Sequence, residues 1–175
     1  ARAWNKVKRE YASLSIHTQN HDALQQDEMT LLPLLSDVLE STDRQLLNHS
    51  SRVSFYATLM ASRLNLTVSE QKALALGAFL HDVGKTSLPS YRFSDDQILP
   101  SGEASLCREH IDRGARMIAP LGLPIETREI ITSHHERWDG KGYPLGLKGE
   151  ETPLIARIIS VADTYDAMVS TRPYR

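Results

Sequence analysis

The chain has 175 residues, 41% of them hydrophobic, which is enough apolar material for one packed domain and too much for a disordered segment. Its formal net charge of -2 argues against electrostatic capture of a nucleic-acid polymer or an acidic membrane surface, and no run approaches the roughly 18 apolar residues of a membrane span. Cys107 is the only cysteine, so an internal disulfide and a cysteine-based zinc cluster are excluded, and a reducing, cytoplasmic setting follows most simply.

Residues 1–30 are polar and weakly patterned, with Trp4, Val7, Tyr11 and Leu14 at three- and four-residue steps; they read as a linker or helix arriving from an upstream region. The first residue, Ala1, suggests a piece of something longer. From Leu31 the pattern strengthens. Leu31, Leu34, Leu35, Val38 and Leu39 predict a helix with Pro33 in its first turn. A second helix is expected from HSSRVSFYATLMASRLN, with Val53, Tyr56, Ala57, Met60 and Leu64 on one face. TVSEQKALALGAFLHDVGK predicts a third, capped at Thr67 or Ser69 and ended by Gly84 as a C-terminal cap. Residues 86–103 are loop-like, and a helix carrying His110, Ile111, Ala115 and Ile118 begins near Gly102 to Ala104. PIETREIITSHHERW reads as helix, and DGKGYPLGLKGEETP is the most breaker-rich stretch. LIARIISVADTYDAMVS closes the chain as a helix with Ile155, Ile158, Ile159, Ala162 and Met168 in register. No alternating pattern is sustained, so the fold class is all-α, with short extended pieces allowed in the glycine-rich loop.

Seven histidines are present. His17 and His21 lie in the weakly patterned start and read as a solvated face. His49, His81, His110, His134 and His135 are spread over several predicted helices or their ends. His110 alone would be a hydrogen-bonded core residue. Together with carboxylates, these imidazoles suit manganese, iron, zinc or nickel.

The stretch FLHDVGK sharpens that reading. Consecutive helical positions diverge by about 100°, so His81 and Asp82 can flank one site only from a helix end. Histidine is a terminal ligand to one ion, whereas a carboxylate has two oxygens and can bridge two. Two ions roughly 3.5–4 Å apart hold a bridging hydroxide and clamp the oxygens of an in-line phosphoryl displacement. Lys85, three residues after Asp82, returns to the same face and can neutralise a phosphate oxygen. HDxGK thus reads as half of a binuclear phosphohydrolase site.

HSSRV from His49, HDVGK from His81, REHIDRG ending at Gly114, HHERWDGKGYP from His134 to Pro144 and ISVADTYDAMVSTRPYR resemble, in order and spacing, the HD-GYP branch of the HD phosphohydrolases. The resemblance implies an HD-domain helical bundle over residues 31–175 with a Gly/Pro-rich substrate loop, preceded by residues 1–30. It implies a metal-dependent phosphodiesterase that opens cyclic di-GMP to pGpG, and leaves open whether hydrolysis continues to GMP. The alternatives are a signalling or binding module with the same fold, and a phosphohydrolase acting on another cyclic dinucleotide or nucleotide.

Residue by residue, the family's metal ligands match His49, His81, Asp82, His110, His134, His135 and Asp163. Asp82 takes the bridging position and Lys85 that of the phosphate-facing lysine. Tyr143 falls in the substrate-contacting loop, and Arg172 and Arg175 match basic residues that approach the dinucleotide. Asp166 and Asp139 are expected to orient ligands or fix the loop through hydrogen bonds. Some family members carry a glutamate four residues before the first histidine that supports a third metal. Gln45 stands there, so two divalent ions are expected, iron or manganese first, with zinc, nickel or magnesium as alternatives. Family domains continue past RPYR into one or two further helices, so the domain is expected to be cut short at its C-terminal end. An upstream sensory or receiver domain and a homodimer are the implied partners.

Overall fold

A computed structural model describes residues 21–88 and 104–170, and the side chains of 31–88 and 108–170. The helix expected around Trp4 to Leu14, most of the loop over 86–103, and Arg172 and Arg175 lie outside the described residues. Six α-helices are present among them: α1 (His21–Thr42), α2 (Arg44–Ala61), α3 (Val68–Leu80), α4 (Ala104–Ile118), α5 (Ile125–Ser133) and α6 (Leu154–Val169). Short 3₁₀ turns cover Val83–Ser87, Ala119–Leu121 and Gly149–Glu151. The described residues contain no strand, only an isolated antiparallel bridge between Asp139 and Lys148 inside the glycine-rich loop.

Local chemistry explains several boundaries. The Asp43 side chain accepts a hydrogen bond from the Leu46 amide at 2.9 Å and starts α2. At α3, Thr67 and Glu70 form a reciprocal capping box, the Glu70 amide donating to Thr67 Oγ1 at 3.2 Å and the Thr67 amide to Glu70 Oε2 at 2.7 Å. Of the two caps the sequence allows, Thr67 is the one used.

Five expectations need correction. α2 ends at Ala61, so Leu64 lies beyond the helix and is 40% exposed rather than on its packed face. α1 starts ten residues before Leu31, so Pro33 sits in the helix interior rather than its first turn. α3 ends at Leu80, and Gly84 does not cap it: Gly84 lies inside the following 3₁₀ turn and is absent from the positive-φ glycines of the described residues. Its lack of a side chain serves a close approach instead. A Cβ there would lie 1.8 Å from the His110 carbonyl oxygen, so this glycine brings the turn after His81 and Asp82 against α4. α5 stops at Ser133 rather than running on through HHERW, and the chain turns at His134. Leaving the helix frees His134 and His135 from the 100° divergence of successive helical side chains. Met168, expected on the buried face of α6, is 57% exposed, whereas Ile155, Ile158, Ile159 and Ala162 are buried.

Two apolar clusters hold the helices together. Leu31, Leu35 and Leu39 of α1 meet Leu80, Ile118, Leu121 and Ile131 in one. In the other, Val53, Ala57 and Ala61 of α2 pack with Leu74 and Ala78 of α3, Ile130 of α5, and Ile155, Ile159 and Ala162 of α6. The small residues on α2, α3 and α6 let the backbones approach. His49 on α2, the end of α3 and Asp163 on α6 are thereby brought side by side.

Candidate metal centre

Five elements deliver one polar cluster. His49 comes from α2, His81 and Asp82 from the end of α3, His110 from α4, His134 and His135 from the turn after α5, and Asp163 from α6. Their ligand-type atoms fall into two groups: His49, His81 and Asp163 in one, and Asp82, His110, His134 and His135 in the other, each within 4.8 Å of its fellows.

Asp82 joins them. Its Oδ2 lies 3.3 Å from His81 Nε2 and 3.7 Å from His49 Nε2, while its Oδ1 lies 3.3 Å from His110 Nε2 and 3.8 Å from His134 Nε2. His49 Nε2 is also 3.3 Å from Asp163 Oδ1. All seven residues named as ligands from the resemblance are therefore neighbours, with one carboxylate facing both halves.

The donor set fits divalent cations on three counts. First, oxygen acceptors hold the outer nitrogens of three rings. His81 Nδ1 donates to the Ala78 carbonyl at 2.7 Å, His134 Nδ1 to the Ile130 and Ile131 carbonyls at 3.2 Å, and His49 Nδ1 to Asp166 Oδ2 at 2.8 Å. A neutral ring that donates from Nδ1 presents a lone pair at Nε2. Second, those Nε2 atoms face each other, His49 against His81 and His110 against His134, both at 3.4 Å. For His49 and His81, whose Nδ1 atoms donate elsewhere, neutral rings set two lone pairs face to face, and a cation removes the conflict. Third, Asp82 Oδ1 is buried with no hydrogen-bond partner among the described residues. A bare carboxylate oxygen in the interior is costly unless a positive group meets it.

Protonation follows the same pattern. Burial, then the neighbouring cationic forms of His135 and His81, holds His134 well below its ordinary pKa. Burial likewise pushes His135 down to about 4, so both rings are neutral donors near pH 7. Burial opposes the charge on Asp82, but Lys85 and His81 outweigh it and hold the carboxyl well below its usual range. His81 differs: burial again opposes its charge, yet Asp82 raises its pKa.

The lysine expected to face phosphate is three residues along the 3₁₀ turn, and Lys85 Nζ bonds Asp82 Oδ2. Tyr143 lies over the other side of the cluster. Its ring stacks on His135 with centroids 4.8 Å apart, and the Arg108 guanidinium lies 5.4 Å from the tyrosine centroid. Asp166 orients His49 and accepts from Arg52 Nε, Arg52 Nη2 at 2.9 Å and Ser170 Oγ at 3.0 Å. Asp139 fixes the loop: it accepts from Arg137 at 2.7 and 3.0 Å and from the Lys141 amide at 3.0 Å. Gln45 is exposed, one turn before His49 on α2.

Two residues escaped the sequence reading. Arg52, three positions after His49 and hence on the same helix face, pins Asp166. Glu136 is buried at 3% exposure and accepts hydrogen bonds from the amides of Leu145 at 2.6 Å, Gly146 at 3.2 Å and Leu147 at 2.9 Å. That carboxylate ties the glycine-rich loop to the histidine turn. Its signal in the sequence was an acid placed between two histidines and a stretch rich in breakers.

The described helices thus gather five histidines and two aspartates from five separate elements into one place. Residues 33–175 match the HD domain family, to which the chain belongs. Among curated relatives, it is 35% identical over 147 residues to a cyclic di-GMP phosphodiesterase of Thermotoga maritima, covering 83% of this chain and 40% of that protein. It is 34% identical over 154 residues to the cyclic di-GMP phosphodiesterase response regulator RpfG of Xanthomonas campestris, covering 87% and 41%. It is 30% identical over 154 residues to 3'3'-cGAMP-specific phosphodiesterase 2 of Vibrio cholerae, covering 87% and 30%. The chain thus spans less than half the length of these relatives. An HDG"Y"P protein from Bdellovibrio bacteriovorus superimposes with a TM-score of 0.64 at 22% identity, covering 95% of this chain and 59% of that one, a likeness of fold.

No described helix is long and apolar enough to cross a membrane.

Proposed function

We propose that the chain carries a phosphodiesterase site for cyclic di-GMP, built on two divalent ions. The observation that carries this reading is the placement of Asp82, whose two oxygens face two different sets of histidines. His49, His81 and Asp163 would hold one ion, His110, His134 and His135 the other, with Asp82 shared. Nitrogen and oxygen donors without thiolate suit iron or manganese, with zinc, nickel and magnesium behind them. When bound, such a pair supplies Lewis acidity that activates water and neutralises phosphate charge in an in-line displacement.

The protein's own residues supply the rest. Asp166 fixes the His49 ring and thereby its donor nitrogen. Lys85 keeps a positive charge at Asp82, where phosphate charge would shift during the reaction. Tyr143, stacked on His135, offers an aromatic wall for a base. Arg172 and Arg175 are kept as substrate-facing cations on the resemblance alone. Residues 31–175 form the hydrolase domain in this reading, residues 1–30 lead from an upstream sensory or receiver region, and the setting is cytoplasmic.

Relatives named for cyclic di-GMP favour that substrate. The relative named for 3'3'-cGAMP favours a second reading, the mixed dinucleotide. Side-by-side turnover of the two by the full-length protein decides between them. Faster opening of cyclic di-GMP, abolished by chelator and restored by manganese or iron(II), is the expected result. Preference for cGAMP would move the assignment to the second reading, and no turnover of either by a metal-loaded protein would refute both.

Asp166 gives a separate prediction. Asp166→Ala leaves every ligand in place but removes the acceptor that orients His49, so metal affinity should fall about 10–100-fold. Titration of the metal-free variant measures this, and unchanged affinity would show that the His49 ring needs no such support.

A further inference from the structure

We propose that the cleft between the start of the glycine-rich loop and α6 is a second, regulatory binding site for a purine nucleoside monophosphate. The choice of purine rests on the cyclic-dinucleotide reading above, whose hydrolysis products carry such groups. The cleft has a volume of about 410 Å³, within the roughly 300–1,000 Å³ typical of small-molecule sites. None of the seven clustered ligands lines it, nor do Lys85 and Tyr143.

Its chemistry is that of an anion with a flat ring. Trp138 forms one wall and is 63% exposed, an unusual position for an indole. The Arg157 guanidinium lies 5.5 Å from the Trp138 ring centroid. The other charged groups lining the cleft are committed. Glu136 accepts from three loop amides, and Arg137 pairs with Asp139. Arg157 has no ion pair among the described residues, and its Nε has no acceptor there. Thr152 Oγ1, on the same lining, is also buried without a partner among them. A guanidinium without an ion pair among the described residues, beside an exposed indole, matches phosphate oxygens and a base that stacks.

The site is placed to act on the metal cluster. It joins residues 136–139, which directly follow His134 and His135, to Thr152 at the far end of the loop and to Arg157, Ser160 and Val161 on α6. Asp163 is less than one turn beyond Ser160 on the same helix. A ligand bridging these parts would hold the loop and α6 in one arrangement, and so tune the catalytic side without touching it.

The test uses the full-length protein, with GMP, AMP and inorganic phosphate as probes in calorimetric titrations. GMP should bind wild type and the Asp82→Asn variant alike, since the cleft is separate from the metal cluster. Arg157→Gln should weaken GMP binding about tenfold or more with metal content unchanged, and Trp138→Ala about fivefold or more. GMP binding that vanishes in Asp82→Asn and survives Arg157→Gln would place the nucleotide at the metal cluster and overturn the proposal. So would absence of GMP binding at millimolar concentration, or inorganic phosphate binding as tightly as GMP with no effect of Trp138→Ala. Wild type that binds GMP through Arg157 but opens no cyclic dinucleotide would sink the functional reading and leave this site standing.

Discussion

Asp82→Asn is expected to empty both halves of the centre and to stop turnover. The substitution keeps the shape of the side chain and removes its charge. In the native arrangement Oδ2 lies near His81 and His49 and Oδ1 near His110 and His134. An amide can offer one oxygen to one ion, and its NH₂ group would meet the lone pairs of the other histidines. The loss should therefore exceed the roughly 10–100-fold that removal of a supporting hydrogen bond costs. Lys85 would also lose the carboxylate charge beside it, so a variant at Lys85 separates the two effects. Lys85→Ala should lower turnover with the metal content intact, because its cation acts on charge that develops in the reaction. Metal analysis and steady-state rates on both variants provide the measurement. Full metal occupancy and normal turnover in Asp82→Asn would remove Asp82 from the shared position.

Gly84→Ala should have the largest effect on stability. The added methyl would lie 1.8 Å from the His110 carbonyl oxygen and 2.6 Å from the Gly114 amide nitrogen, both backbone atoms that cannot swing aside. Forced separation of the turn from α4 costs about 3 kcal/mol on the scale of overpacked cores, which lowers Tm by roughly 6–12 °C for a chain of this length. It also draws His110 away from Asp82, so weakened metal binding should accompany the lower melting temperature. Gly122→Ala is the control. That glycine has φ +59°, but a methyl added to it would meet nothing within 4 Å, so only backbone strain of about 1 kcal/mol applies. Thermal melts of the two variants decide the matter. A Gly84→Ala protein that melts with wild type would show that the turn and α4 are free to separate.

These two residues also mark what a reader of the sequence can and cannot obtain. The gathering of seven residues at one place was legible because each sits in a short motif whose order and spacing carry chemical meaning. Thr67 and Glu70 were legible because a capping box is local, three residues apart. Gly84 was misread for the opposite reason. Its neighbours in sequence suggest a helix cap, whereas its actual constraint is a backbone from α4 that no local rule reveals. The end of α5 before His134 was missed similarly: REIITSHHERW continues a helical pattern, and the demand that both rings reach one cluster overrides it. Arg52 has its partner, Asp166, 114 residues away, and Glu136 serves amides 9 to 11 residues on. Such pairings depend on how the helices pack and on the path of the loop, which composition and periodicity do not specify.

Anomalous scattering from crystals of the protein grown with manganese or iron tests the central claim most directly. The account predicts two peaks on opposite sides of the Asp82 carboxylate, one ringed by His49, His81 and Asp163 and the other by His110, His134 and His135, with Gln45 bound to neither. A single peak, or three fully occupied sites with Gln45 as a direct ligand, would contradict it.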